Sequence, residues 1–273
     1  MKVGVIGLGL IGGSIAKAWR KQGYTVFGYD TDVRSLGLAI EDGVVEDVRD
    51  WTHWLDLVDE VVVATPLATV PGWITALSAR PRRRPGIMVE VGSVKGPLMA
   101  SLYALKAPWS FLSLHPMAGK ESRGYASSQA ELFGGYACAV IDAHVPTDED
   151  VMQRWMQVLG TRPVVVTADT HDTMVAQVSH LPYLIAAALL YSVGDPSAPS
   201  LQLAGSGFRD TTRVGASDPE LWQEILVANR RPIQQALNQY SRLLEEFLDA
   251  LEKGESLPGK DIIAQVRQAI LRQ

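Results

Sequence analysis

Cysteine, excess charge and clustered metal ligands are all scarce in this sequence. Cys138 is the only cysteine among 273 residues, which excludes a disulfide within the chain and a cysteine metal cluster, and suits a reducing compartment. The five histidines are scattered, so we predict no metal site. A net charge of −5 gives no reason to expect nucleic acid or an anionic membrane surface as a partner.

Long apolar runs and a targeting segment are also missing. The most apolar later run, Leu181–Val193, is too short to span a bilayer and contains Pro182, so it predicts a buried helix. The first predicted strand begins at Lys2, with no basic region and apolar segment of a signal peptide before it. We therefore expect a cytoplasmic protein without a membrane partner, long enough to form two ordinary domains.

A glycine-rich segment near the amino terminus carries a specific pattern. The apolar run Lys2–Ile6 breaks into Gly7-Leu8-Gly9-Leu10-Ile11-Gly12, and a helical stretch then leads to a second apolar run that ends at Asp30. In a dinucleotide-binding turn the first glycine permits the tight turn, the second lets the backbone approach a pyrophosphate, and the third lets helix and strand pack closely. The pattern predicts a nucleotide site, and a glycine turn that serves packing alone is the alternative.

Asp30 bears on the choice between NAD and NADP. It lies at about the twenty-residue separation at which an acid bonds the adenosine ribose hydroxyls, and its charge repels a 2′-phosphate. This favours NAD. Arg34 lies close enough to attract that phosphate, so use of NADP stays open.

Strand-like and helix-like segments alternate in the first part of the chain and then give way to helices. The predicted strands are Lys2–Ile6, Val26–Asp30, Glu60–Ala64, Ile87–Val91, Phe111–Leu114, Tyr136–Ile141 and Val164–Val166. This alternation predicts a mostly parallel sheet covered by helices on both faces. From Ala168 onward apolar residues recur at helical spacing. We predict an α/β domain over residues 1–167 and a helical domain over residues 168–273, whose long apolar faces favour a homodimer.

Candidate binding residues follow three of the predicted strands. Thr65 and Pro66 follow the third strand, Ser93 the fourth and His115 the fifth. Ligands of an open parallel sheet bind beyond the carboxyl ends of its strands, so these residues are candidates for the cofactor and substrate sites. A histidine accepts a proton near neutral pH, and a serine hydroxyl both donates and accepts hydrogen bonds. The alternatives are a structural loop histidine at His115 and a helix N-cap at Ser93.

A histidine in the helical part is a further candidate. His180 lies two residues before Pro182, whose missing N–H leaves the carbonyl of Val178 without its usual partner. A kink there would turn the imidazole into a cleft, and a core histidine is the alternative. His171 precedes His180 by nine residues, which places the two on opposite faces of a regular helix and argues against a shared metal.

Two arginines lie four residues apart among small residues. Arg209 and Arg213 offer forked guanidinium donors that suit a carboxylate substrate. A surface network with Asp210 and Glu220 is the alternative. Farther along, Asp218-Pro219-Glu220 is typical of a helix start, with Asp218 as the N-cap.

Six segments together resemble the prephenate and arogenate dehydrogenases of tyrosine biosynthesis, nearly from end to end. They are Gly7-Leu8-Gly9-Leu10-Ile11-Gly12-Gly13-Ser14, Gly92-Ser93-Val94-Lys95, His115-Pro116-Met117-Ala118-Gly119, Ser179-His180-Leu181-Pro182, Gly207-Phe208-Arg209-Asp210-Thr211-Thr212-Arg213 and Ser217-Asp218-Pro219-Glu220-Leu221-Trp222. The resemblance implies a Rossmann-type dinucleotide-binding domain followed by an all-helical dimerisation domain, with the active site in the cleft between them.

The resemblance also implies roles for individual residues. His115 is the catalytic histidine, and Ser93 assists it at the substrate hydroxyl. The implied substrate site comprises His180, Arg213, Glu121, Asp210, Arg209 and Trp222. Within it Arg213 binds a substrate carboxylate, while Glu121 and Asp210 form an ionic network with that arginine at the pocket mouth. The implied reaction is an oxidative decarboxylation with hydride transfer to NAD or NADP.

Two other functions stay open at this point. One is another small-acid dehydrogenase of the 6-phosphogluconate-like kind, which would carry a catalytic lysine on a helix after the sheet domain. The segment from Ala168 to Val178 contains no lysine. The other is a non-catalytic nucleotide-binding scaffold, which would reduce no cofactor with any hydroxy acid. The sequence does not decide between prephenate and arogenate.

Overall fold

The structure is a computed structural model that describes residues 1–82, 84–106, 108–120, 122–142 and 149–272. Its strands are β1 (Lys2–Ile6), β2 (Thr25–Tyr29), β3 (Glu60–Val63), β4 (Gly86–Glu90), β5 (Trp109–Pro116), β6 (Ala137–Ile141) and β7 (Arg162–Val166). Its α-helices are α1 (Leu10–Lys21), α2 (Val33–Glu41), α3 (Trp51–Trp54), α4 (Val70–Ser78), α5 (Gly96–Tyr103), α6 (Glu149–Leu159), α7 (Ala168–Val175), α8 (Leu181–Val193), α9 (Ser206–Thr212), α10 (Pro219–Ala228), α11 (Arg230–Lys253) and α12 (Lys260–Leu271).

The strands form one sheet in the order β2-β1-β3-β4-β5-β6-β7. All neighbouring strands run parallel except β5 and β6, which are antiparallel. The predicted mostly parallel sheet is confirmed, and each predicted strand overlaps an observed one. In the register of β4 with β5, Glu90 lies opposite Ser113, so the segments carrying Ser93 and His115 leave the same edge of the sheet.

Buried side chains lie on both faces of this sheet. Neighbouring residues of a strand point to opposite faces, so Val62 joins one core cluster while Val61 and Val63 join the other. Every residue of β3 is buried, as expected for a central strand covered on both sides. Such a core fixes the strands that end at the candidate site.

The helical part begins with one long helix. The π-helical turn Ala176–His180 joins α7 to α8, so Pro182 lies inside a continuous helix and does not end it. The helix therefore extends beyond the apolar run Leu181–Val193 that was expected to be too short to span a bilayer, and the burial expected for that run is not found within the single chain. Ala168–Val193 has 26 residues and, by length and composition, is apolar enough to cross a membrane, a test that core helices of soluble proteins also pass. In α8 only Tyr183 and Ala186 are buried within the single chain.

The two parts of the chain are packed against each other. Ile225 of α10 belongs to the core cluster that includes Leu67 and Val94 of the sheet part. Arg123 forms an ion pair with Asp218, which is the N-cap of α10 as predicted and accepts hydrogen bonds from the next turn. The division after residue 167 stays a prediction, with α7 beginning at Ala168.

Candidate active site

The glycine turn between β1 and α1 is tightly built. Gly7 has φ +90°, a conformation that side chains rarely adopt, and a Cβ there would lie 2.7 Å from the carbonyl oxygen of Ala64. A Cβ on Gly12 would lie 1.8 Å from the carbonyl oxygen of Gly7, so α1 packs directly on the turn. At Gly9 a Cβ would meet nothing within 4 Å. The turn thus leaves open space in front of the α1 amino terminus, which has no side-chain cap.

Asp30 lies beside this turn at the end of β2. Its carboxylate accepts a hydrogen bond from the backbone N–H of Leu8 at 2.5 Å and from that of Asp32 at 2.8 Å. Thr65, after β3, closes the other side, because its Cγ2 lies 3.0 Å from the position of a Cβ on Gly7. Pro66 follows it and is exposed. Asp30 and Thr65, both predicted to hold a dinucleotide, therefore flank one open backbone turn.

A buried ion pair underlies the ends of β4 and β5. Lys95 and Glu90 are both fully buried, and the Lys95 ammonium donates to Glu90 at 2.8 Å and to the carbonyl of Leu114 at 2.6 Å. Glu90 also accepts from the backbone N–H of Gly92 at 2.8 Å and from the Ser113 hydroxyl. The pair thus fixes the backbone immediately before both Ser93 and His115.

Helix α5 receives its cap from the helical part of the chain. Its N-cap residue is Lys95 and no side chain of its own turn caps it, so the N-cap alternative for Ser93 is wrong. The carboxylate of Asp172 accepts from the backbone N–H groups of Lys95 and Gly96 at 2.9 and 2.8 Å. Because a carboxylate is favourable at a helix amino terminus, this contact ties α7 to the sheet part.

His115 is partly exposed at the sheet edge and is linked to α7. Its Nδ1 lies 2.9 Å from Nε2 of His171, whose own Nδ1 lies 2.8 Å from the Asp172 carboxylate. Desolvation, aided by the positive charge of Lys95 and by the neighbouring His171 and His180, holds the pKa of His115 well below its ordinary value of 6.5. The lowered pKa favours the uncharged ring, whose unprotonated nitrogen has a lone pair that can accept a proton.

His180 is buried in the same region. Its Nδ1 lies 3.1 Å from the side-chain amide nitrogen of Asn229, which also donates to the backbone carbonyl of Asp172 at 2.7 Å. Burial lowers the pKa of His180 to about 4. Since an amide nitrogen only donates, Nδ1 is the acceptor and Nε2 carries the proton.

A π-helical turn lies between His171 and His180 in the long helix. Because a π-helical turn takes more residues than an α-helical turn, the regular 100° spacing behind the expectation of opposite faces does not hold across it. Both rings are buried. His171 and His180 each help to lower the pKa of His115, and His171 also helps to lower the pKa of His180. Among the described residues no group of three histidine, cysteine or acidic side chains is arranged to hold a metal.

Trp222 stands next to His180. Its ring is stacked on Tyr183 with centroids 3.9 Å apart and 3° between the planes, and it meets His180 edge-on at 5.9 Å. Trp222 is half-buried and packs on the core cluster that contains Val61 and Val63. The stack therefore forms a rigid aromatic wall beside the buried imidazole.

The arginines of the helical part lie farther out. Arg209 and Asp210 are exposed on α9. Within the described part of the chain, neither residue contacts the three histidines His115, His171 and His180. Arg213 begins a 3₁₀ turn that packs closely on α8, since a Cβ on Gly215 would lie 2.7 Å from the backbone of Ala186. Glu121, predicted at the pocket mouth, lies outside the described residues.

The sequence reasoning missed four residues of this region. His171 was considered only as a metal ligand, and Asp172, Asn229 and Lys95 received no role. The adjacent imidazole and carboxylate of His171-Asp172, at the start of a predicted helix, were the available signal. Their partners lie 56 and 77 residues away in sequence, and no local pattern predicts such contacts.

Comparisons with known proteins agree on one family. The family model for the nucleotide-binding domain of prephenate dehydrogenase matches residues 15–168, and the model for the prephenate dehydrogenase dimerization domain matches residues 167–257. A cyclohexadienyl dehydrogenase of Zymomonas mobilis is 30% identical over 262 residues, covering 91% of this chain and 88% of that protein.

Two solved structures share the fold over the whole chain. The arogenate dehydrogenase of Synechocystis has a TM-score of 0.81 and 26% identity, with 100% of this chain and 99% of that one covered. The A. aeolicus prephenate dehydrogenase, solved with hydroxyphenyl propionate and NAD+, has a TM-score of 0.84 at 24% identity, with 100% and 96% covered. The predicted fold class, a Rossmann-type domain followed by a helical domain, is confirmed. The chain belongs to the prephenate dehydrogenase family.

Proposed function

We propose that this protein is an NAD-dependent dehydrogenase that oxidatively decarboxylates prephenate, arogenate or both, in tyrosine biosynthesis. The observation that carries the proposal is the position of His115, partly exposed at the sheet edge and hydrogen-bonded to the His171–Asp172 pair. The relatives named for prephenate, arogenate and cyclohexadienyl substrates support the same reaction. Neither a 6-phosphogluconate-like dehydrogenase nor a non-catalytic scaffold receives comparable support.

The glycine turn fits a dinucleotide. Open space at Gly9, the uncapped α1 amino terminus and the close packing of Gly12 on Gly7 suit a pyrophosphate held by backbone N–H groups. We assign the turn Gly7, Leu8, Gly9, Leu10, Ile11 and Gly12, together with Asp30, Thr65, Pro66 and Ser93, to this site. When bound, NAD supplies the acceptor for the hydride that leaves ring C4 of the substrate.

Asp30 supports NAD over NADP. Its carboxylate is anchored by the Leu8 and Asp32 N–H groups, so its charge is fixed where the ribose hydroxyls bind. A 2′-phosphate there would meet this charge and that of Asp32, whose pKa is lowered by the hydrogen bonds of Ser35 and Arg34.

His115 is assigned as the base. It takes the proton of the C4 hydroxyl as that oxygen becomes a carbonyl, and general-base catalysis of this kind contributes about 10²–10⁴-fold. Ser93, on the neighbouring loop, hydrogen-bonds the same hydroxyl and orients it. Loss of carbon dioxide then completes the aromatic ring. The protein contributes orientation. Holding the reacting atoms about 3–3.5 Å apart lowers the barrier, because the entropy of bringing them together is lost on binding rather than in the reaction step.

The substrate side chain is assigned to the helical part. Arg213 binds the side-chain carboxylate, because the carboxylate that departs should not be held by a strong ion pair. We assign His180 and Trp222 to the pocket for the substrate ring, and Arg209, Asp210 and Glu121 to its charged mouth. The Nε2–H that His180 retains is a donor suited to a substrate oxygen.

The protein acts as a homodimer through its helical part. Apolar side chains stay exposed on α8, α11 and α12, among them Leu190, Leu244, Leu248, Leu251 and Ile263. An isolated chain seldom exposes so many, and the dimerization-domain match covers most of this region. The buried thiol of Cys138 suits a reducing cytoplasm.

The decisive experiment offers the purified protein prephenate and arogenate, each with NAD and with NADP. We expect reduced cofactor and carbon dioxide to form in equal amounts, with NAD the better cofactor. If neither cofactor is reduced with either substrate, the proposal is overturned. Carbon dioxide release without cofactor reduction would point instead to a simple decarboxylase.

A further inference from the structure

Three side chains form a continuous hydrogen-bonded line from the helical part into the sheet part. Asp172 and His171 are neighbours on α7, and His171 reaches His115 at the end of β5. The exposed fractions of His171 and Asp172 are 2% and 6%, so solvent has little access to the line. His115 is the member with partial exposure. The line therefore runs from a buried carboxylate to the assigned base.

The donor and acceptor roles along this line follow from chemistry. The Asp172 carboxylate receives two backbone N–H groups, from Lys95 and Gly96, and is an acceptor. His171 must then carry its proton on Nδ1 to donate to it. In a neutral ring the Nε2 of His171 is left as an acceptor, and His115 must donate from Nδ1. This leaves Nε2 of His115 without a proton.

We propose that His171 and Asp172 are positioning residues that fix His115 in the tautomer with a free Nε2 lone pair and hold its ring toward the substrate hydroxyl. Since it concerns the base of the reaction proposed above, this inference rests on that proposed function. It deepens that function by giving the helical part control over the base. Neither residue touches the substrate in this scheme.

The same line stabilises the state after proton transfer. When Nε2 of His115 takes the hydroxyl proton, the ring becomes a cation that still donates from Nδ1 to His171. His171 in turn donates to the fixed negative charge of Asp172. A carboxylate two links away offsets the new charge without competing for the proton, as carboxylates that orient catalytic imidazoles do.

Substitutions at His171 separate positioning from packing. His171→Phe keeps an aromatic ring and removes both nitrogens. His171→Gln places an amide oxygen near the former Nε2 position, so it restores an acceptor for His115. Asp172 is a poorer site for the test, because its carboxylate also caps α5. His53→Gln is the control, since that side chain is 73% exposed and its recorded ion pair is with Asp50 in its own turn.

Two readouts apply to each variant. In steady-state kinetics we expect His171→Phe to lower kcat by about 10–100-fold, by analogy with the loss of a partner that orients a metal-binding imidazole. The KM for the substrate and the affinity for NAD should stay unchanged, and His171→Gln should recover much of kcat. A packing defect would move stability, KM and cofactor affinity together, and glutamine would not repair it.

The second readout needs no substrate. Histidine-selective ¹⁵N labelling reports which nitrogen of each of the five rings carries a proton, and a His115→Gln variant assigns the resonances of interest. We expect His115 to be protonated at Nδ1 in the native protein and to become a tautomer mixture in His171→Phe. His171→Gln should restore the native pattern.

Each outcome decides the proposal. A native His115 protonated at Nε2, or spectra and kcat that do not change in His171→Phe, would overturn it. If the protein oxidises neither prephenate nor arogenate, the proposed function fails, while the nitrogen spectra still decide whether His171 sets the tautomer.

Discussion

Replacing Lys95 with methionine should destabilise the protein strongly. The ammonium lies in the interior with an exposed fraction of zero, 2.8 Å from Glu90 and 2.6 Å from the carbonyl of Leu114. Methionine has a similar length and fills the same space. The variant therefore removes a charge and two hydrogen bonds while leaving the Glu90 carboxylate in place without its cation.

The size of the effect follows from that unpaired carboxylate. Removing one partner of a buried ion pair costs about 3–5 kcal/mol, because the remaining charge stays desolvated. Total stabilities of folded proteins are about 5–15 kcal/mol, so the loss is a large fraction. In urea, with a slope of about 3 kcal/mol per molar, the midpoint should fall by roughly 1–2 M. Activity should fall too, because the backbone before Ser93 and His115 loses its anchor.

Matched variants isolate the buried charge. Lys21→Met makes the same substitution in an exposed ion pair with Glu131, whose partners are 62% and 69% exposed, and should cost less than about 1 kcal/mol. Adding Glu90→Gln to Lys95→Met should recover part of the stability. Urea unfolding followed by circular dichroism measures all three. A loss below about 1 kcal/mol for Lys95→Met would refute the reasoning about a desolvated carboxylate.

Four further predictions concern single side chains. His115→Asn should lower turnover by about 10²–10⁴-fold in steady-state assays while NAD affinity, measured by fluorescence titration, stays constant. Arg213→Ala should raise the substrate KM at least tenfold, because a charged hydrogen bond is worth about 1.5–3 kcal/mol. Asp30→Ser should lower kcat/KM for NAD and raise it for NADP, with Arg34 free to attract the phosphate and the shift smaller in high salt. Between pH 7 and pH 5 the native protein should lose about 2 kcal/mol more unfolding free energy than His180→Asn in urea unfolding, because the unfolded chain protonates this histidine near pH 6.5 and the folded chain only near pH 4.

Clear outcomes would contradict each of these. Near-normal turnover in His115→Asn would remove it as the base, and an unchanged KM in Arg213→Ala would return that arginine to a surface role. A native enzyme that already prefers NADP, or an unaltered cofactor ratio in Asp30→Ser, would leave the NAD assignment without basis. For the histidine, a His180→Asn variant that keeps the full loss of stability toward pH 5 would assign that loss to other groups.

Much of the sheet part can be predicted from the sequence because the patterns that indicate it are local. The turn from Gly7 to Gly12 needs particular residues at fixed spacing, and each apolar run that was predicted as a strand lies in the sheet. The start of α10 at Asp218 was equally clear, since an N-cap and a first-turn proline act within one turn.

The features that the sequence does not predict depend on contacts between residues that are far apart in the chain. Regular helix geometry does not predict the π-helical turn Ala176–His180, and no residue near Pro182 indicates it. The capping of α5 by Asp172 joins residues 77 positions apart in sequence. Likewise, a lysine in a glycine-rich loop gives no sign that it will be buried against Glu90. Such contacts are decided by how the two parts of the chain dock.

The cap on α5 bears on whether the two halves of this enzyme can be separated. A chain cut after residue 167 would keep the glycine turn and Asp30, and with them the means to hold a dinucleotide. It would lack His171, Asp172 and Asn229, so α5 would lose its carboxylate and His115 its partner. Under the proposed assignments, cofactor recognition is a property of one segment, whereas the proposed base His115 gains its partner only when the second segment has folded onto the first.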